Sequence, residues 1–345
     1  MLFRSVKKQF IIITFITFGV MPTFATTWRV NNNVGINANF TTLSAAVSAA
    51  SNGDVIYVEP SASDYGTGTL TISKQLTIIG NGNFLTTNTG LQVNSNSSNF
   101  NGTLVFSSAA AGSVIEGMTI QNNLRLDNVN NMTIKRCYII GSLDMQSTSS
   151  NTTISENYLA NVSCTANCGT NTAVLITNNI VVTSITLDAS DVAIIENNSL
   201  GFLGANYYTL SLNGNSNVSI RNNIMLNGLG FSGVQNAVFQ NNICTCNQLP
   251  AGNGNQNNVT GTNIFTNSSA GDDNRAKLKT GSPAIDAGYY GSGDDIGAIN
   301  NGTGRPTYVL GLIPTYPSIY TLTGGGTVTT PTISISITIS TRSNN

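Results

Sequence analysis

Ile134-Lys-Arg-Cys137-Tyr-Ile, Ile154-Ser-Glu-Asn157-Tyr-Leu, Ile176-Thr-Asn-Asn179-Ile-Val, Ile195-Glu-Asn-Asn198-Ser-Leu, Ile220-Arg-Asn-Asn223-Ile-Met and Phe239-Gln-Asn-Asn242-Ile-Cys are six copies of one pattern. Each has a large apolar anchor, two variable residues, a fourth position that is usually Asn, and a mostly apolar pair. Counted from Ile115, the anchors at 115, 134, 154, 176, 195, 220 and 239 lie 19, 20, 22, 19, 25 and 19 residues apart. A period near 20 is the signature of a solenoid, whose units bury their apolar faces only by stacking on one another.

A second apolar row follows about nine residues after each anchor: Leu124/Leu126, Leu143/Met145, Ile185/Leu187, Leu210/Leu212 and Leu229/Phe231. Alternation at period two points these side chains inward and the residue between them outward. Several short strands per coil, with no helix pattern inside the repeat, predict an all-β chain folded as a parallel β-helix. The Asn at each turn can bond the turns above and below it and tolerates unusual backbone angles. Asn157, Asn179, Asn198, Asn223, Asn242 and Asn263 are therefore expected to stack, with Met118 and Cys137 interrupting the row in the first two turns.

Ahead of the repeat, residues 40–50 carry apolar side chains at helical spacing and stop at Ser51-Asn-Gly-Asp54. A helix there, feeding a strand over 55–58, would close the open N-terminal end of the solenoid. Short strands are expected at 70–72, 76–79, 91–93 and 104–106. After the repeat, residues 271–298 lose the register and read as a loop that finishes or covers the last coil. From Thr307 the composition turns to Pro, Tyr and Thr. The strictly alternating run Ile333, Ile335, Ile337, Ile339 needs a partner strand, most simply the β-helix itself.

The first residues have Arg4, Lys7 and Lys8 before an apolar run over 10–20 and a small residue, Ala25, at its exit, which is the pattern of a secretory signal peptide. The organisation expected is thus a signal peptide at 1–25, a β-helix with its N-terminal cap at 26–306, and a strand-forming tail at 307–345. Removing the leader leaves 11 basic against 15 acidic side chains. With no basic stripe, nucleic acid binding is not expected, and after signal removal no second run is long enough to span a membrane. Of the five cysteines, Cys164 and Cys168 can close a small loop, Cys244 and Cys246 would be strained as a direct bridge, and at least one must stay unpaired. The absence of His leaves little for a zinc site.

The Ile-x-x-Asn turns, the Asn39-Phe-Thr-Thr-Leu-Ser-Ala-Ala-Val47 helix leading into Gly53-Asp-Val-Ile-Tyr-Val58, and Ser282-Pro-Ala-Ile-Asp-Ala-Gly288 with Asp295-Ile-Gly-Ala298 together resemble the secreted bacterial right-handed parallel β-helix proteins of the pectate-lyase-like superfamily. The resemblance covers nearly the whole mature chain and rests on architectural motifs. It implies an exported or surface protein and association with polysaccharide, while the chemistry of such a fold lives in its sites. Lyases of this kind use a basic residue as base, with carboxylates that bind Ca²⁺ or a cation that stabilises charge next to the uronate carboxylate.

Outward charges are few. Arg125 and Asp144 each follow their anchors by ten residues, Glu116 and Lys135 by one, and Arg136 and Glu156 by two, so each pair is expected to stack in adjacent coils. Read structurally, these are cross-strand ion pairs that set register. Read chemically, Arg125, Asp127, Lys135 and Asp144 form one small catalytic patch. Asp272-Asp273 and Asp294-Asp295 lie in Gly-rich loops where carboxylates can chelate Ca²⁺; Asp294 and Asp295 are the candidate ligands, and a solvated loop is the other reading. Tyr207-Tyr208 and Tyr289-Tyr290 are candidates for stacking on sugar rings. The function expected is polysaccharide association without catalysis, with a Ca²⁺-dependent uronate lyase as the alternative. A structural adhesin ranks last because no long outward Thr row keeps the coil period.

Overall fold

The computed structural model describes residues 25–164, 168–203, 207–214, 217–226, 229–235, 237–300, 306–324 and 337–344. The leader therefore lies outside the described residues, apart from Ala25. Ten parallel strands build the first face of the coil, from Thr27–Val30 through Val55–Val58 and on to Val218–Arg221 and Val238–Gln240. A second sheet wraps round the two remaining faces, because the strands Asn99–Ser107 and Tyr138–Gln146 are long enough to turn the corner unbroken. Stacked parallel strands on three sides of one core make a parallel β-helix.

The anchors stack in one column: Ile78, Ile115, Ile134, Ile154, Ile176, Ile195, Ile220 and Phe239 pair in successive coils. The isoleucines of this column from 115 to 220 are wholly buried, whereas Ile194, the rival anchor, is 38% exposed. The inner column of the third face runs Leu104, Leu124, Leu143, Val162, Ile185, Leu210 and Phe231. Phe231 thus pairs with Leu210, where spacing alone had matched it to Leu212, and Leu229 faces solvent instead. Outside this column a hydroxyl row does keep the coil period, Ser163, Thr186, Ser211 and Ser232, made of Ser as well as Thr.

Each turn between the first and second faces combines two residues. Arg136, Glu156, Asn178, Asn197, Asn222 and Asn241 take left-handed backbone angles (φ 50 to 58°). From Glu156 on, the next residue supplies the stacked amide; after Arg136 it is Cys137, whose backbone N donates to Asn157 Oδ1 at 2.9 Å. The strained position is therefore the residue before the Asn of the repeat, and a short polar side chain suits it best. Asn157, Asn179, Asn198 and Asn223 each pass an amide N–H to the Oδ1 of the next member at 3.0–3.1 Å. Asn242 hands the row to Asn255 at 3.2 Å. Asn263, expected to end the row, lies in the short helix Gly261–Ile264, because the chain leaves the coil register after Asn242.

At the N-terminal end the helix is shorter than its apolar pattern, Leu43–Ala49, with the Thr42 hydroxyl accepting from Ala45 N. Leu43, Ala46 and Val47 point into the end of the core. A strand that the sequence did not announce, Thr27–Val30, pairs with Val55–Val58. Asp54 ties it down by accepting from Thr26 N and Trp28 Nε1, each at 2.8 Å. Residues 91–93 form no strand. Cys164 bridges Cys168, and Cys244 bridges Cys246 with their Cα atoms 5.0 Å apart, inside the range a disulfide spans without moving the backbone. Cys137 is the buried free thiol.

Residues 284–300 and 306–313 do more than finish the last coil: both segments lie along the outside of the Asn turns, the second of them against the first coils. Asn241 Nδ2 donates to Ala287 O, Asn222 Nδ2 to Asp294 Oδ2, Asn178 Nδ2 to Ala298 O, and Arg136 Nη1 to Ile313 O. At the far end Asn83 N donates to Gly311 O, and a Cβ on Gly82 would meet that same oxygen at 2.6 Å. Beneath this strap a second apolar core forms on the outer side of the second face, from Tyr158, Ile180, Ile224 and Ile243 with Ile296, Ala298, Tyr308 and Leu312. Residues on both sides of 306, the boundary drawn from composition, contribute to this core: Ile296 and Ala298 before it, Tyr308 and Leu312 after it. Beyond it Ser318–Gly324 pairs antiparallel with Ile337–Arg342, so the last strand finds its partner within the tail rather than on the β-helix. Ile333 and Ile335 lie outside the described residues. Val93 N, donating to Ile319 O, and Arg342, donating to Leu91 O, hold this ribbon to the first coils of the same chain.

Candidate functional site

The strap covers the outer side of the second face, which leaves the outer sides of the first and third faces. On the third, the strand Leu124–Asp127 alternates Leu inward with Arg125 and Asp127 outward. Asp144 pairs with Arg125 in the next coil, as spacing predicts. The ion pair nonetheless forms along the strand: Arg125 Nη2 lies 2.8 Å from Asp127 Oδ2, two residues on, while Asp144 Oδ2 accepts from Asn123 Nδ2 at 3.0 Å. Burial pushes the Asp144 carboxyl above its usual range, opposed by Ser142, Arg125 and Asn123.

Lys135 does not join this group. It ends the first-face strand Thr133–Lys135, so the expected four-residue patch is split between two faces. The period-20 arithmetic gives position along the axis but not the side of the coil. Lys135 aligns with Glu116, yet its Nζ sits 3.3 Å from Glu156 Oε1 and Glu116 instead takes both the backbone N and the hydroxyl of Thr315 from the strap. Arg136 Nε meets Glu156 Oε2 at 2.6 Å, with both side chains 95% or more buried. Of the three stacked pairs, only Arg136 with Glu156 forms as an ion pair.

A cluster that went unremarked in the sequence lies further along the first face. Arg221 Nε is 2.7 Å from Glu196 Oε2, which also accepts from the Tyr290 hydroxyl at 2.7 Å. The guanidinium carbon lies 5.2 Å from the ring centroids of both Tyr289 and Tyr290. The signal was present, since Glu196 and Arg221 each follow an anchor by one residue. Both rings thus engage Arg221 in cation–π contacts, and Tyr289 remains 39% exposed.

Asp294 and Asp295 are 3% and 2% exposed, so they are no solvated loop. Asp294 Oδ2 accepts from Asn222 Nδ2 (2.8 Å) and Tyr290 N (3.1 Å), and Asp295 Oδ1 from Asp286 N (2.9 Å). One oxygen of each carboxylate thus faces N–H donors that attach the strap, whereas Asp294 Oδ1 is buried with no hydrogen-bond partner. Among the described residues, the one group of three or more Cys, Asp or Glu ligand atoms is Cys164, Cys168 and Asp191. Its two sulfurs are joined as a disulfide, and Asn171 donates to Asp191 Oδ1 through both N and Nδ2.

Asp273, in the other acidic pair, is fully buried and accepts from Gly311 N (2.7 Å) and Asn88 Nδ2 (2.8 Å), pinning strap to first coils. Burial pushes its carboxyl up to about 6. The folded state therefore binds this proton more tightly than the unfolded chain. Stability from this group is full below the ordinary carboxylate pKa and is lost as pH rises through about 6. The melting temperature is expected to fall between pH 4 and 7, by an amount equivalent to about 3 kcal/mol from this residue. Asp273→Asn should flatten that fall in calorimetric scans; a slope unchanged by the substitution would refute the assignment.

No protein-family model and no curated protein matches the chain. Among solved structures it is similar to pectate lyase Pel9A, at 14% identity over 81% of this chain and 97% of that one, with a TM-score of 0.44.

Proposed function

We propose that this is an exported protein that holds an extended polysaccharide along its third face and does not transform it. The observation that carries the reading is the outer row Ser163, Thr186, Ser211 and Ser232, one hydroxyl-bearing residue per coil on strands roughly 4.8 Å apart, with the Ser232 hydroxyl donating to that of Ser211 at 3.2 Å. Hydroxyls both donate and accept, which matches the repeating hydroxyls of a neutral glycan. The candidate bases support binding over chemistry: Arg125, Lys135, Arg136 and Arg221 each have a carboxylate oxygen within 3.3 Å. Export agrees with the N-terminal pattern and with two disulfides, which persist in oxidising compartments.

The test is retention on insoluble cellulose, xylan, mannan and pectin. Wild-type protein is expected to be retained on a neutral glycan, and the pair Thr186→Glu with Ser211→Glu to weaken that retention about tenfold by placing charge in the row. Release of unsaturated product from polygalacturonate with added Ca²⁺, lost in Arg125→Ala or Lys135→Ala, would establish the lyase reading instead.

A further inference from the structure

Where the tail ribbon meets the first coils it leaves a cleft of about 340 Å³, which lies within the size range of small-ligand sites. Its floor is Tyr57, an outward residue of the strand Val55–Val58. Asn81, Gln92 and Asn94 also line it, with Val93 and with Ile319 and Leu322 of the ribbon; Asn81 Nδ2 is held by Asn94 O (3.0 Å) and Asn96 O (2.8 Å). Glu59 also lines it, with its charge matched by Arg29 and its second oxygen held by Asn31 Nδ2 at 2.6 Å. Burial and the nearby Glu59 charge hold the Tyr57 phenol above its ordinary pKa, so it stays a neutral hydroxyl.

We propose that this cleft binds a single neutral pyranose unit of an oligosaccharide, with Tyr57 against one ring face and the Gln92 and Asn94 amides at its hydroxyl rim. A pyranose has apolar C–H faces and a polar edge, and the cleft is lined by both kinds of surface: the Tyr57 ring and the aliphatic side chains of Val93, Ile319 and Leu322, and the amides of Gln92 and Asn94. Pairing of Glu59 with Arg29 leaves no net charge to recruit an acidic sugar. The assignment rests on the polysaccharide reading above but uses none of the third-face residues, so the two can fail separately.

Calorimetric titration with cellotetraose, xylotetraose and mannotetraose, and with tetragalacturonate as the acidic comparison, tests it. At least one neutral tetrasaccharide is expected to bind. Tyr57→Leu should weaken it about tenfold through loss of the ring face. Leu322→Trp, at a position 53% exposed where folding is not at stake, should abolish it by filling the cleft. Both variants should keep wild-type retention on insoluble glycan through the third face. The cleft assignment is overturned if no neutral tetrasaccharide binds, if tetragalacturonate binds better, or if Leu322→Trp binds as wild type. Loss of retention in the Thr186 and Ser211 double variant alone would bear on the third face and leave the cleft standing.

Discussion

Asn198→Asp is expected to destabilise the β-helix by about 5 kcal/mol at neutral pH and to recover part of that loss in acid. The Asn198 amide is wholly buried, and its Nδ2 faces Ile176 O (2.9 Å), Glu196 O (2.9 Å) and Asn223 Oδ1 (3.0 Å). An aspartate of the same shape aims an oxygen at all three acceptors. Ionised, it is a buried charge without a donor on that side; protonated, it satisfies one of the three. Its pKa is therefore raised in the folded state, and the sign follows: stability is greatest below the ordinary carboxylate pKa and falls as pH rises. The apparent melting temperature should drop by roughly 10 °C or more at pH 7 and by less at pH 4. Coils of a solenoid open locally, so hydrogen exchange should accelerate first in residues 176–226. Asn198→Ala removes the donor without adding charge and should cost less, with little pH dependence. An Asp variant as stable as wild type at pH 7 would mean that the stacked amides only decorate a turn held by the core.

That prediction depends on features the sequence revealed unequally. The column of anchors was legible because each apolar residue keeps one period and one direction, and burial allows no other register. The turn was half legible: Asn-Asn at 178–179, 197–198, 222–223 and 241–242 marks the place, but only the backbone shows that the first Asn carries the left-handed angle and the second the stack. In Arg136 and Glu156 the same angle is imposed on long charged side chains. The site was less legible. Lys135 and Arg125 are ten residues apart and look adjacent along the axis, yet one coil turns a corner between them. The burial of Asp294 was not legible, because it comes from Asn222 and Tyr290, residues of a coil and a strap that share no periodic signal. The strap itself has no repeat to betray its path, and its covering of the second face decides which faces remain for a partner.

Arg136→Ala is expected to lower stability by about 4 kcal/mol and to loosen the tail in the same step. Arg136 and Glu156 are both nearly sealed from solvent, so removing the guanidinium strands a buried carboxylate, which is the costly way to break such a pair. Lys135, 3.3 Å from the other Glu156 oxygen, keeps part of the compensation, which places the loss below the upper end of that range. The second consequence follows from the far side of the guanidinium: Nη1 donates to Ile313 O (3.1 Å) and Asn344 O (2.9 Å), tying strap and tail to the third, left-handed position of a coil turn. Limited proteolysis should therefore cut the variant within residues 306–324 or 337–344 before it cuts the coils, while wild type resists in those two segments. Pairing Arg136→Met with Glu156→Leu removes both charges and should regain most of the stability, since apolar replacement of a whole buried pair is close to neutral. It cannot regain the two carbonyl contacts, so the tail should stay protease-sensitive. If the double variant restored both stability and protection, the ion pair would be the whole of Arg136's role and the carbonyl bonds incidental. If neither returned, the left-handed angle at Arg136 (φ 50°) would be the dominant constraint, and Arg136→Gly, which relieves it, should then be the mildest of the series.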